Sequence, residues 1–245
     1  MEFKKSELIG EGVIAKIYLK EGYAYKKFKL DSMTSWIHYE FDVHKEVEEN
    51  TQLNVVKYYE VLDDSIIKME YIKGMNLSKV VRNKMMTMPK NIEVIIDIQQ
   101  SIHAYTNLKL QNAHEVYKKK IENSSIKKEI KNVALKNLNK IEKMNILCHL
   151  DIHYENIMFD GHRYYIIDWS SALLANPVFD IARTYVIFKQ YVKRQANNYL
   201  KKALERTGIT KEEFERALFV VVAIRVIELG NHPFSKELLT LITYI

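Results

Sequence analysis

Apolar and polar residues alternate over short runs in the first third of the chain, and a longer period replaces them afterwards. SELIG, VIAKIYLK and YAYKKFKL read as strands, the last two joined at Glu21 and Gly22, a pair suited to a two-residue hairpin turn. SWIHYEFDVHKEVEEN then sets Trp36, Glu40, Val43 and Val47 on one helical stripe, with Ser35 as N-cap. NVVKYYEVL and SIIKMEYI restore the strand pattern around a turn at Asp63 and Asp64. Five strands and one helix form an N-terminal lobe over residues 1–73, punctuated by Gly74.

From Asn76 the period is helical: Leu77 to Asn83, then Ile92 to Leu108, then lysine-rich segments in which Ile126, Ile130, Ala134, Leu138 and Ile141 share a face. Strand character returns at NIMFDGHRYYIID, a hairpin turned at Asp160 and Gly161. Further helices close the chain. Ile181, Tyr185, Phe188 and Val192 form one stripe, and Thr210 with Glu213 makes a capping box before FERALFVVVAIRVIEL. Residues 74–245 are therefore expected as a helical second lobe that carries one hairpin, and the fold class is α+β.

Composition narrows this picture. With 245 residues, 47% of them hydrophobic, the chain can bury a sizeable core. Cys148 is the only cysteine, so neither an internal disulfide nor a paired-cysteine zinc pattern is possible, and a reducing cytoplasm is expected. The N-terminal MEFKKSELIGEG lacks an apolar export core, and no run of eighteen apolar residues occurs, so a membrane is not an expected partner. The net charge of +6 arises between Lys118 and Lys143, where nine lysines face three glutamates. Such a run reads either as a nucleic-acid stripe or as a solvated helix face; the helical apolar spacing favours the second, and nucleic acid is not an expected partner.

The chemistry concentrates in CHLDIHYENIMF. His149 and His153 have the spacing of metal ligands on a helix, but the β-run that follows argues for an extended loop. His149, Asp151 and Asn156 instead fit HxDxxxxN, and Asp168 follows twelve residues after the asparagine at the far end of the hairpin. This register suits phosphoryl transfer. A carboxylate, Asp151, must orient and deprotonate a hydroxyl, and oxygen ligands, Asn156 and Asp168, must hold Mg²⁺ against the phosphate charge. Gly10 and Gly12 stand between two strands, where glycine lets backbone N–H groups approach phosphates. On the next strand Lys26 points under that loop while Lys27 points away, and Glu40 pairs with Lys26, with Glu46 as the runner-up.

Together these motifs resemble the aminoglycoside phosphotransferase and choline kinase branch of the protein-kinase-like fold, in its short bacterial form. HLDIHYEN is similar to the family's catalytic loop, IDWSSA to its metal motif, ANPVFDIAR to the segment after it, and MEYIKG to its hinge. The resemblance implies a two-lobed fold and an ATP- and Mg²⁺-dependent transfer of the γ-phosphate to a hydroxyl of a small molecule, with GTP an open alternative to ATP. It implies Asp151 as catalytic base, Asn156 and Asp168 as Mg²⁺ ligands, Lys26 on the α- and β-phosphates with Glu40 orienting it, and the backbone of Glu70 and Ile72 on the adenine. Three departures stand out. Leu150 replaces a glycine before the base, Ala15 replaces the third glycine of the loop, and no long activation segment separates Asp168 from Asp180. The last disfavours a protein acceptor. Alternative readings are a nucleotide-binding module without catalysis and a small atypical protein kinase. The oligomeric state is left open.

Overall fold

The computed structural model describes residues 1–29 and 34–242, which divide into two compact units: Met1–Met85 with Tyr154–Ser170, and Met86–His153 with Ser171–Ile245.

The first unit holds a five-stranded antiparallel sheet in the order β1-β2-β3-β5-β4, formed by β1 (Leu8–Glu11), β2 (Ala15–Lys20), β3 (Tyr23–Phe28), β4 (Tyr58–Leu62) and β5 (Ile66–Glu70). Its two tight hairpins turn where both central residues take positive φ, Glu21 (51°) with Gly22 (82°) and Asp63 (48°) with Asp64 (49°). Those angles match the twist of the flanking strands. Helix α1 (Thr34–Asn50) packs on β4 and β5 and buries Ile37, Glu40, Val43, His44 and Val47. Ser35 lies within the first turn rather than capping it, and Trp36 stays exposed beside the buried stripe. Ala15, Phe28, Ile37, Tyr58 and Ile67 form a core cluster between helix and sheet.

A second sheet completes this unit. In it β6 (Met75–Asn76) pairs with β8 (Ile157–Phe159), which forms a hairpin with β9 (Tyr164–Ile166). The hairpin loop is closed by Asp160, whose carboxylate accepts from the N–H groups of His162 and Arg163 at 2.7 Å each. Asn76 then caps α2 (Leu77–Arg82) by accepting from Lys79 N–H at 3.0 Å. Gly74 is required by proximity: a Cβ there would lie 2.3 Å from the Phe159 carbonyl oxygen and 3.0 Å from the Asp160 Cα. Both obstacles are backbone, so the strands must separate to admit a methyl group. Gly74→Ala is expected to cost about 2 kcal/mol of stability, read as a lower thermal midpoint; an unchanged midpoint would contradict the close approach.

The second unit is helical. It contains α3 (Met88–Ile102), α4 (Ala113–Asn123), α5 (Lys128–Leu138), α6 (Pro177–Tyr191), α7 (Lys193–Thr207), α8 (Lys211–Leu229) and α9 (Pro233–Leu239), with a short antiparallel pair of β7 (Ile146–Cys148) and β10 (Leu173–Ala175). Helix α3 starts earlier than the apolar period suggested because Pro89 occupies its first turn, where a missing N–H costs nothing. Thr210 and Glu213 form the reciprocal capping box of α8. This helix packs against α4, α5, α6 and α9 and buries Ala217 through Ile224 without interruption. On α5, Ala134 and Leu138 are buried, with Ile141 just beyond, while Lys128 and Lys136 face solvent.

Candidate active site

In the first unit the charged groups gather on β3, α1 and the end of the β8–β9 hairpin. Lys26 sits mid-strand, opposite Ile17 on β2 and Ile67 on β5, and only 7% of it is exposed. Its ammonium lies 2.6 Å from Glu40 Oε1 and 3.5 Å from Asp168 Oδ1. Glu40 is fully buried; its Oε1 also accepts from the Tyr58 hydroxyl at 3.1 Å, while its Oε2 has no hydrogen-bond partner among the described residues. Burial works against the Lys26 charge, but Asp168 and Glu40 outweigh it and raise the lysine pKa. Burial likewise pushes Glu40 up against the pull of Lys26. The runner-up Glu46 lies off the buried stripe of α1.

Asp168 takes a left-handed backbone conformation, φ 62°, and its Oδ1 accepts from the Ser170 hydroxyl at 3.0 Å. Asn156, 7% exposed, begins the hairpin that Asp168 ends, and the two ends are tied by Ile167 N–H donating to the Asn156 carbonyl at 3.0 Å. Trp169 beside them is fully buried, its indole N–H donating to the Ile166 carbonyl at 3.3 Å. Gly10 lies in β1, and Gly12 closes the β1–β2 turn by donating to the Ala15 carbonyl at 2.9 Å. Glu70 ends β5, its N–H bonded to the Lys57 carbonyl at 2.8 Å, and Ile72 follows in irregular chain.

Beneath this group lies a histidine that the sequence did not single out. His44 is fully buried, its Nε2 donates to the Val56 carbonyl at 2.5 Å, and its ring stacks on Tyr58 at 3.6 Å. Burial pushes its pKa down to about 4, from an ordinary 6.5. Between those two values the unfolded chain binds a proton that the folded chain does not, so stability falls as pH drops through that window and is flat above it. The loss amounts to roughly 3 kcal/mol by pH 4. Urea unfolding from pH 7 to pH 4.5 should show this slope. His44→Gln, which keeps a donor without a titrating ring, should flatten it, and a variant with the wild-type slope would remove His44 as its source.

In the second unit, Asp151 follows Leu150, which takes φ 60° while 3% exposed. The bulky side chain thus adopts the left-handed conformation that glycine enters without strain. Its N–H donates to the Asp180 Oδ1 at 2.9 Å, Asp180 also meets His103 Nε2 at 3.0 Å, and the Thr184 hydroxyl donates to the Ile152 carbonyl at 2.9 Å. Helix α6 therefore anchors the loop at both sides of Asp151. The Asp151 carboxylate lies 3.5 Å from His153 Nε2 and 3.9 Å from Arg183. Burial works to raise its pKa, but His153, Arg183 and His149 outweigh that and hold it well below the carboxylate range. Arg183 reaches on to Glu228 at 2.7 Å. Asp180 and Arg183 stand in the ANPVFDIAR segment without an assigned role, and only the folded α8 brings Glu228 to Arg183. His149 is fully buried in the same loop.

Among the described residues no helix is long and apolar enough to cross a membrane. The model of the phosphotransferase enzyme family matches residues 97–217. No curated protein matches the chain. Among solved structures, choline kinase LicA from Streptococcus pneumoniae is similar at a TM-score of 0.67, with 17% identity over 98% of this chain and 92% of that one. A choline/ethanolamine kinase family protein from Mesorhizobium loti gives 0.64, with 13% identity over 97% and 86%. A thermostable mutant of aminoglycoside phosphotransferase APH(4)-Ia, in a ternary complex with AMP-PNP and hygromycin B, gives 0.65, with 10% identity over 94% and 89%. At such identities the likeness to the solved structures establishes the fold. The chain thus has the protein-kinase-like fold seen in aminoglycoside phosphotransferases and choline kinases, and over residues 97–217 it is similar to the phosphotransferase enzyme family.

Proposed function

We propose that the protein transfers the γ-phosphate of ATP to a hydroxyl of a small molecule with the help of Mg²⁺, GTP remaining the alternative donor. The observation that carries this reading is the buried Lys26 ammonium held between Glu40 at 2.6 Å and Asp168 at 3.5 Å. A lysine kept charged in a nearly dry place is suited to the α- and β-phosphates. Solved structures of similar proteins contain AMP-PNP, ADP or AMP, which agrees with a nucleotide donor.

The remaining parts follow from the same chemistry. Asn156 and Asp168 offer only oxygen donors from the two ends of one hairpin, a set that fits a hard divalent cation. Such an ion, when bound, would neutralise charge on the phosphate oxygens. Gly10 and Gly12 have no positive φ, and a Cβ at either would meet nothing closer than 3.6 Å. What the missing side chains leave open is the outer face of the turn, where phosphate oxygens would approach backbone N–H groups. The Glu70 carbonyl and the Ile72 N–H would receive the adenine edge. Asp151 accepts a hydrogen bond from the acceptor hydroxyl. As the hydroxyl oxygen bonds to phosphorus and the bond to the ADP oxygen breaks, the proton passes to that carboxylate. Its low pKa suits an orienting role in a loose transition state, with proton transfer late.

The test is ADP formation with and without Mg²⁺, for wild type and for Asp168→Asn, since asparagine tolerates the left-handed conformation at that position. Turnover should require the ion and fall roughly 100-fold or more in the variant. Turnover undiminished by a chelator, or by the substitution, would sink the assignment.

A further inference from the structure

Cations gather around Asp151 and Glu228 in the second unit. Within the second unit, Glu228 on α8 meets Arg183 of α6 at 2.7 Å, Arg225 of its own helix at 3.4 Å and Lys120 of α4 at 3.7 Å. Arg183 in turn reaches Asp151 at 3.9 Å. Two carboxylates therefore face three permanent cations, and His153 adds a fourth nitrogen centre 3.5 Å from Asp151. Burial alone would raise Glu228, but Arg183, Lys120 and Arg225 hold its pKa down, so its charge is already spent. Gln190 accepts from Arg225 Nε at 3.1 Å and fixes the direction of that guanidinium.

Lys120 belongs to a second feature as well. It lines a cavity of about 870 Å³ in the same unit, together with Lys119, Lys143, Glu115, Asn107 and Asn123. That volume suits a small molecule. Lys143 takes up Glu115 at 2.6 Å, Lys120 shares Glu228 with Arg183 and Arg225, and the amides supply partners for hydroxyl groups. The lysine run of α4 thus holds two side chains with a place to act, beside others that only face solvent. Of the three cations on Glu228, Lys120 makes the longest contact and is the most exposed, 47% of its side chain. It can turn from the carboxylate to a ligand at little cost.

We infer that the acceptor is an anionic hydroxylated small molecule, carrying a carboxylate or a phosphate that Lys120 and Arg225 bind beside Asp151. This rests on the phosphotransferase reading above and narrows it. A polycationic or quaternary-amine acceptor would need uncompensated carboxylates, and those nearest to Asp151 are already paired.

Binding can be measured without knowing the natural acceptor. Protein loaded with MgADP is titrated calorimetrically with glycerol 3-phosphate and glycerate, the two anionic probes, and with choline and glycerol. At least one anionic probe should bind tenfold or more tightly than choline and glycerol, and the better of the two identifies the anion as phosphate or carboxylate. The double variant Lys120→Gln/Arg225→Gln should weaken that probe at least tenfold, Lys120→Arg should retain it, and Lys136→Gln on exposed α5 should not change it. Choline or glycerol binding as tightly, failure of both anionic probes, or an unaltered double variant would each overturn the inference. MgADP affinity, measured in the same preparations, reports separately on the phosphotransferase reading.

Discussion

Replacing Asp151 by asparagine is expected to lower phosphotransfer about a thousandfold while leaving nucleotide affinity close to that of the wild-type protein. Asparagine keeps the shape of the side chain and one acceptor oxygen, but it cannot take a proton. The loop around it is held by bonds that the substitution does not touch: Leu150 N–H to Asp180 at 2.9 Å and the Thr184 hydroxyl to the Ile152 carbonyl at 2.9 Å. Arg183 keeps Glu228 as its nearer partner at 2.7 Å. The fold should therefore survive, with a modest stability loss at neutral pH, because the depressed Asp151 pKa means that its ionised form favours the folded chain. The informative comparison is acceptor phosphorylation against ATP affinity. A variant within about threefold of wild type would remove Asp151 from the role of base, since general-base contributions are on the order of 10²-fold or more.

What could be read from the sequence was local, and what escaped it was mostly long-range. The Glu21–Gly22 and Asp63–Asp64 turns were legible because tight hairpin turns draw on few residue types, and the Thr210–Glu213 box because its partners are three residues apart. The Asp160–Gly161 pair likewise marked a hairpin, although the loop runs on to Arg163. By contrast the pairings of β6 with β8 and of β10 with β7 join residues far apart in sequence, and strands of two or three residues leave no period to detect. The Arg183–Glu228 contact spans 45 residues and depends on how α6 and α8 pack. His44 was not among the residues of the α1 stripe read from the sequence, though the helix buries it, and a histidine at such a position gives no sign in the sequence of whether it stays neutral. Leu150 is instructive in a different way. Its departure from glycine is plain in the sequence. That the backbone nevertheless keeps φ 60°, with the side chain buried, is a result of tertiary packing overriding local preference.

The largest effect on stability should come from Lys26→Met, which leaves the fully buried Glu40 carboxylate without its cation. Among the described residues Glu40 Oε2 already lacks a partner, and Oε1 would keep the Tyr58 hydroxyl at 3.1 Å. Breaking a buried ion pair from one side costs about 3–5 kcal/mol, a fall in thermal midpoint on the order of 10 °C for a chain of this size. The reverse change, Glu40→Gln, should cost less. Lys26 would still have Asp168 at 3.5 Å, and a neutral amide can accept from Tyr58. The double variant Lys26→Met/Glu40→Gln removes both charges together and should recover most of the stability lost in Lys26→Met, because no uncompensated charge remains in the core. Phosphotransfer should not recover with it, since the cation proposed to meet the phosphates is gone. That separation distinguishes a pair kept for catalysis from one kept for folding. If the double variant regained activity along with stability, Lys26 would be a structural residue, whereas stability restored without activity places its ammonium in the reaction.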